Sequence, residues 1–373
     1  MRIAFVVTHL LGTGHLSRVL TLARACVDGG HDVRVISGGR DAPHLAQTGV
    51  ELFQLPSLAS DGVNFTRLLT DDGSLANEDY LSNRKSIAVK AVTDFAPDVL
   101  ITELYPFGRR VLREEFRAIL NTAKSLSPRP RIYASIRDIL APPSKPAKTM
   151  EAEAMIAAFY DGVFVHSDQG STPLSASWPV TPTLDDKLIY TGYVAPPPAS
   201  PHPENLGEGE VLVTAGGGDV GRALFETALA TAANSQMPWR LLVGGKTAPA
   251  EVQRLSALAP PNASVEQARP DFRSMLHHAA ASVSMCGYNT AIDLLQSGCP
   301  SILVPFDDGG EVEQTLRSES LAKSQQFQVI KTAYLTPKTL AQAVTQASQS
   351  PRAAGTGNFD GARYLVDYIE SFK

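Results

Sequence analysis

The stretch Met285-Cys286-Gly287-Tyr288-Asn289-Thr290-Ala291-Ile292-Asp293-Leu294-Leu295-Gln296-Ser297-Gly298-Cys299-Pro300-Ser301-Ile302-Leu303-Val304-Pro305 decides the fold. A short apolar run over residues 281–285 ends at Gly287. A helical pattern follows over 290–297. Gly298 closes it, Pro300 prevents its continuation, and a second apolar run over 301–304 ends at Pro305. Strand, glycine turn, helix and strand in that order predict one unit of a parallel sheet. The helix opens near Asn289 and Thr290, with its first N–H groups free for an anion. Asp293 lies one turn further along, on the face of Asn289. A carboxylate there can bind the two hydroxyls of a ribose.

The same order of elements recurs along the chain. Toward the N-terminus, residues 3–7 lead to Gly12–Gly14 and a helical stretch at 16–27. Apolar runs at 33–36, 98–102, 131–135 and 162–165 follow. The series then restarts, with 208–213 leading to Gly216–Gly218 and a helix over 222–233. Runs at 239–243, 281–285, 301–304 and 327–330 complete it. Two such series predict an α/β fold of two Rossmann-like domains facing a cleft. Between them, Pro196, Pro197, Pro198, Pro201 and Pro203 exclude a helix or an inner strand. The expected organisation is an N-terminal Rossmann-like domain over 1–193 and a Pro-rich connector over 194–208. A C-terminal Rossmann-like domain follows over 209–356, with a C-terminal helix over 357–373 that packs back on the first domain.

Composition limits the function classes. The chain has 373 residues, 43% of them hydrophobic and 19% charged, so a disordered protein is not expected. The net charge of −5 lacks the basic balance of a dedicated nucleic-acid binder. Cys26, Cys286 and Cys299 are odd in number and widely spaced, which fits neither a disulfide framework nor a zinc knuckle. Reduced thiols in a cytoplasm are the simplest reading. No apolar run approaches the roughly 18 residues of a membrane-spanning helix. The N-terminal run reads as a first buried strand rather than a signal peptide.

Two glycine turns carry the chemistry. Gly12-Thr13-Gly14-His15-Leu16-Ser17-Arg18 follows the first strand and opens a helix. Ser17 stands where a dinucleotide fingerprint needs its third glycine, and Ser37-Gly38-Gly39 replaces the acidic strand end, so a nicotinamide-binding domain is disfavoured. His15 sits where open α/β sheets bind ligands and suits a general base; the same position also suits a histidine that caps its own helix. In the second series, Gly216-Gly217-Gly218-Asp219 forms a nest of N–H donors suited to phosphate, or a tight turn without a ligand. Glu313 and Gln314 follow the next strand and offer acceptors and donors for sugar hydroxyls.

The segment running from Gly287 to Phe306, followed by Glu313-Gln314-Thr315-Leu316-Arg317, resembles the nucleotide-sugar half of GT-B glycosyltransferases, above all glycosyltransferase family 28. The best-known member of that family adds N-acetylglucosamine to the lipid-linked peptidoglycan precursor. Gly12-Thr13-Gly14-His15, Tyr190-Thr191-Gly192-Tyr193-Val194 and the Gly216–Gly218 turn resemble further motifs of the family, in the same order. The chain departs from it at Tyr193, Val194 and Ala195, which replace Asn-Pro and a later Arg, and has one glycine fewer before His15.

The resemblance implies roles. Gly287, Tyr288, Asn289 and Thr290 would give backbone donors to the diphosphate, with Gly216, Gly217 and Gly218. Asp293 would hold the ribose, in place of a Glu one methylene longer, and Glu313 with Gln314 the donor sugar. The base would sit near residues 269–272, before a helix over 275–280. His15 would be the catalytic base, oriented by Glu103 at the end of the 98–102 strand. On the acceptor side stand Gly12, Gly14, Tyr105, Phe107 and Arg109, with Tyr105 and Phe107 read as exposed aromatics beside Arg109 and Arg110; Phe65, Leu68 and Leu69 are further candidates.

The reading is a hexosyltransferase that moves a sugar from a nucleotide-diphosphate sugar, a UDP-sugar for preference, to a hydroxyl. It expects inversion, no metal and no cofactor beyond the sugar nucleotide as co-substrate. Its partners are the nucleotide sugar and a hydroxyl acceptor, with a lipid-linked one among the options, and no nucleic acid. Its place is the cytoplasm, with peripheral contact to the inner membrane as an option, in cell-envelope or glycolipid synthesis. Two alternatives stay open. Gly12-x-Gly14-His15-x-x-Arg18 also resembles nucleotide-sugar hydrolases of nonulosonic-acid synthesis, where His15 would activate water. A non-catalytic nucleotide-sugar-binding protein is the other.

Overall fold

A computed structural model describes residues 1–42, 45, 49–60, 67–353 and 357–372. The chain divides into two compact units. The first contains Met1–Gln169, Trp178–Val194 and Asp360–Lys373, and the second Gly170–Ser177 and Ala195–Phe359.

In the first unit, β1 (Arg2–Val7) leads through a glycine turn into α1 (Gly14–Asp28), then β2 (Asp32–Ser37) and β3 (Glu51–Gln54). A small hairpin, β4 (Ala59–Ser60) and β5 (Leu68–Leu69), precedes α2 (Glu78–Phe95), β6 (Val99–Glu103), α3 (Arg113–Ser125) and β7 (Arg131–Arg137). Then come α4 (Pro146–Phe159), β8 (Gly162–His166), α5 (Pro182–Asp185) and β9 (Leu188–Tyr190). Among the described residues the main sheet is parallel and runs β3-β2-β1-β6-β7-β8-β9. Strand β1 is buried over Ile3–Val7 because helices cover both faces of such a sheet. The sequence order moves outward from β1 in one direction and resumes at β6 in the other. The carboxyl ends of β1 and β6 are thus the point where open α/β sheets form sites.

The second unit repeats the plan. Its strands are β10 (Val211–Thr214), β11 (Trp239–Val243), β12 (Ala263–Gln267), β13 (Ala281–Ser284), β14 (Ser301–Leu303) and β15 (Phe327–Val329). They run β12-β11-β10-β13-β14-β15, all parallel, so the switch lies between β10 and β13. The helices are α6 (Arg222–Ala232), α7 (Ala248–Ser256), α8 (Phe272–Met275), α9 (Tyr288–Ser297), α10 (Glu313–Leu321) and α11 (Pro337–Ser348).

The last helix, α12 (Gly361–Glu370), belongs to the first unit. Leu365, Val366 and Ile369 join the core formed by β1 and α1, and the Tyr368 ring meets Phe164 edge-on at 5.5 Å. Gly361 N–H donates to Tyr193 O at 3.1 Å, which fixes the chain's return.

Three details differ from the sequence reading. Residues 170–177 group with the second unit, although they fall inside the expected 1–193 domain. The Pro-rich stretch is docked rather than a spacer. The carbonyls of Pro196, Pro197 and Ala199 accept from Gln296 Nε2, Arg273 Nη2 and His277 Nε2 at 3.0, 2.8 and 2.7 Å. The helix expected over 275–280 is instead the single turn of α8. No helix of the described residues is long and apolar enough to cross a membrane.

Candidate active site

In the first unit, β1 and β6 pair in register Phe5↔Ile101 and Val6↔Thr102, so the turn after β1 lies beside the end of β6. That pairing brings His15 to Glu103. His15 Nδ1 is 2.8 Å from Glu103 Oε1. Glu103 is buried, 2% exposed, whereas the His15 side chain keeps 17%. Arg18, one turn along the same face of α1, also donates to Glu103 Oε1. Ser135 of β7 reaches Glu103 Oε2 at 2.7 Å and His166 Nε2 at 3.0 Å. His166 Nδ1 in turn is 2.9 Å from Thr191 Oγ1.

One proton arrangement satisfies this chain. Thr191 donates to His166 Nδ1, His166 Nε2–H to Ser135, and Ser135 and His15 Nδ1–H both to Glu103. It leaves His15 Nε2 with its lone pair available. The electrostatics agree. Burial pushes His15 below its ordinary 6.5, to about 4, although the Glu103 hydrogen bond pulls it upward. Burial alone would raise the Glu103 carboxyl, but the Arg18 charge and the His15 and Ser135 hydrogen bonds hold it at about 2. Burial takes His166 down to about 3, so it is neutral and carries the single proton the chain needs. At neutral pH the pair is a neutral imidazole fixed by a carboxylate, which is the form of a general base.

The reading of Tyr105 and Phe107 as exposed aromatics is wrong. Each is 3% exposed. The Tyr105 ring stacks on Phe116 with centroids 4.5 Å apart, and Phe107 meets Trp178 edge-on at 5.1 Å. Both side chains are core, because α3 and the segment after β8 supply apolar partners. Arg109 is half-buried, with its Nε donating to Thr8 O at 2.6 Å. Gly12, at φ +36, and Gly14 border open space. Leu68 is buried in the small hairpin and Leu69 half-buried; Phe65 lies outside the described residues.

In the second unit the glycine turn after β10 faces the start of α9. A Cβ on Gly216 would lie 3.7 Å from Thr290 Oγ1. Gly216 holds φ +81, a conformation that favours glycine. Gly244 must be glycine too, because its Cβ would fall 2.1 Å from Gly216 O. Asp219 fastens the turn by accepting from Thr247 N and Thr247 Oγ1, both at 2.7 Å. A Cβ on Gly217 would meet nothing within 4 Å, and one on Gly218 only a Val220 methyl at 3.6 Å, so this side of the turn is open. Gly287 caps α9 without a side-chain hydrogen bond, so the N–H groups of Asn289 and Thr290 in its first turn are left to a ligand or to water. A cavity of about 680 Å³ opens beside this turn, lined by Val220, Leu224, Val243, Met285 and Phe306 among others.

Asp293 points to Arg273, Nε to Oδ1 2.9 Å, and Arg273 Nη2 also donates to Gln296 Oε1 at 2.7 Å. Burial raises the Asp293 carboxyl to about 6, with Arg273 pulling it down. Gln314 uses its carbonyl oxygen to accept from Cys286 N at 2.9 Å and Phe306 N at 3.2 Å. It thereby ties the ends of β13 and β14 together. Glu313 opens α10. Sequence reasoning missed Ser135, His166, Asp219 and Arg273 as parts of these networks. Only the spacing of Arg18 three residues after His15 was a readable signal.

Comparison with known proteins gives the class. Residues 212–358 match the family model of the glycosyltransferase family 28 C-terminal domain. An uncharacterized glycosyltransferase of Methanosarcina mazei is 22% identical over 330 residues, covering 81% of this chain and 79% of the relative. Among solved structures, Acinetobacter baumannii MurG has a TM-score of 0.67 at 15% identity, covering 99% of each chain. The glycotransferase of kitacinnamycin gives 0.66 at 18% identity, covering 99% of this chain and 98% of the other. VinC, a glycosyltransferase solved with dTDP, gives 0.61 at 14%, covering 100% and 95%. The fold is therefore that of GT-B glycosyltransferases. The chain is a glycosyltransferase, and over residues 212–358 it matches the family 28 C-terminal domain.

Proposed function

We propose that the enzyme transfers a hexose from a nucleotide-diphosphate sugar, a UDP-sugar for preference, to an acceptor hydroxyl, with inversion and without a metal. The observation that carries the reading is the His15–Glu103 hydrogen bond at the switch point of the first sheet. His15 Nε2 takes the hydroxyl proton, the acceptor oxygen bonds to the anomeric carbon, and the bond from that carbon to the diphosphate oxygen breaks. The negative charge leaves on the diphosphate. The Gly216 N–H is held by Thr214 Oγ1, so the N–H groups of Gly217 and Gly218 and of the start of α9 support that charge. Attack opposite the leaving group inverts the anomeric centre. Asp293 accepts from the ribose, and Glu313 with the Gln314 amide N–H group contacts the sugar. The reading places the enzyme in the cytoplasm, at the membrane face if its acceptor is lipid-linked.

The test is a donor screen. UDP-, GDP-, ADP- and dTDP-sugars are added to pure protein, and thermal shift and nucleotide release are followed without and with a crude lipid extract. A shift with one nucleotide, and release only with extract, supports transfer and names the donor. Release without extract, lost in His15→Ala, assigns the same dyad to hydrolysis. A shift without release under either condition leaves a binding protein.

A further inference from the structure

The loop from the end of β6 to α3 holds one cation in an unusual state. Leu104 (φ 69) and Arg109 (φ 57) both adopt the left-handed conformation that non-glycine residues avoid. Such conformations persist only where the surroundings impose them, and they concentrate at functional sites. Here Gly108 N–H donates to Leu104 O at 2.9 Å, Thr102 Oγ1 donates to Tyr105 O at 3.0 Å, and the buried Tyr105 and Phe107 rings anchor the loop. The result is a rigidly placed Arg109.

Its Nε is taken by Thr8 O. Its two terminal nitrogens make no hydrogen bond or ion pair with any described residue. The titratable and charged groups around it are the neutral imidazoles of His9 and His15 from the turn after β1, Glu103 from β6, and Arg137 from the end of β7. Glu103 is already committed to Arg18, His15 and Ser135. Arg137 adds a second positive charge rather than a counter-charge. Burial and Arg137 together take the Arg109 guanidinium down to about 10, against the pull of Glu103, so it keeps its proton at neutral pH. A half-buried cation whose terminal nitrogens have no partner among the described residues keeps the edge of its guanidinium open, and that edge matches the two oxygens of a carboxylate or phosphate.

We propose that Arg109 binds an oxyanion, a carboxylate or a phosphate group, carried by the acceptor, and so presents the acceptor hydroxyl to His15. The hydroxyl part rests on the sugar-transfer reading; the anion part does not.

The experiment separates the two. Wild type, Arg109→Met and Arg109→Lys are titrated by calorimetry with inorganic phosphate, glucuronate and glucose 6-phosphate. Sedimentation with phosphatidylglycerol and with phosphatidylcholine vesicles supplies the lipid arm. The imidazole resonance of His15 is followed in histidine-labelled protein, and UDP binding is measured on each variant. The expected result is saturable binding of at least one anion that moves the His15 resonance. Affinity should fall about tenfold or more in Arg109→Met, with an intermediate loss in Arg109→Lys and unchanged UDP affinity. Binding of the soluble anions identifies a soluble acceptor. Arg109-dependent binding to phosphatidylglycerol vesicles alone identifies a lipid headgroup. Equal anion binding in all three proteins, or no binding of any probe to wild type, overturns the proposal. Should Arg109→Met fail to fold, Arg109→Lys decides. Failure of UDP and the other donors to bind wild type would sink the donor reading while leaving the anion result intact.

Discussion

His15 and Glu103 stand 88 positions apart, yet their side chains share a 2.8 Å hydrogen bond. Parallel pairing of β1 with β6 places the turn after one strand against the end of the other. The carboxylate then fixes the imidazole with Nδ1 protonated and Nε2 open. Arg18 and Ser135 compete for the same carboxylate, so Glu103 orients His15 while its charge is shared.

Replacing His15 by Ala should lower kcat/KM roughly 10³-fold with donor affinity unchanged. Glu103→Gln should cost less, roughly 10²-fold, because the imidazole remains but loses its charged partner. Steady-state rates with a saturating donor measure both. An active His15→Ala enzyme would remove the base assigned here.

The pH dependence has a definite sign. In the unfolded chain His15 and His166 titrate near 6.5, but folded they titrate at about 4 and about 3. As pH falls below 6.5 the unfolded state takes up protons first, so stability declines from there toward pH 3. Glu103, at about 2 instead of 4.5, adds a further loss as pH falls from 4.5 to 2. The melting temperature should therefore be higher at pH 7 than at pH 5. The acid limb of kcat/KM should lie near pH 4. A limb at pH 6.5 would show an imidazole exposed to water rather than this one.

Two glycine substitutions should act in opposite ways. Gly244→Ala drives a methyl into Gly216 O, 2.1 Å away, and should displace the turn and lower the melting temperature. Gly217→Ala meets nothing within 4 Å and should leave stability intact. If the turn cradles a diphosphate, Gly217→Ala should still weaken nucleotide binding, because its methyl occupies the space the phosphate needs. Thermal melts with and without nucleotide distinguish the two effects.

Phe107→Ala should behave as a core truncation. The ring is 3% exposed and packs on Trp178, so the loss should be about 3–5 kcal/mol. Denaturant unfolding measures it. A stable variant with altered acceptor preference would restore Phe107 to the acceptor surface.

Much of this architecture is local information, and the sequence carries it. A strand buried on both faces needs a continuous apolar run such as Ile3–Val7, and a turn that brings backbone to a phosphate needs glycines such as Gly216–Gly218. Both are readable from neighbouring residues. The helix α2 was not readable in the same way. Arg84 occupies a core position in it, fully buried, and is acceptable there only because Glu115 of α3 meets its Nε at 2.7 Å. The Tyr105–Arg109 loop misled for the same reason, since whether its aromatics face water depends on Phe116 and Trp178, far away in sequence.

The sequence by itself determined two strand–glycine–helix series, the histidine after the first and the anion-ready helix start in the second. Its family resemblance also paired Glu103 with His15, but tertiary structure alone decided that Ser135, His166 and Thr191 extend that pair into one hydrogen-bonded chain, and that the terminal nitrogens of Arg109 are left without a partner among the described residues. Hydrogen bonds and buried charges depend on which strands become neighbours. That order is set by the packing of the whole sheet and not by any window of the chain.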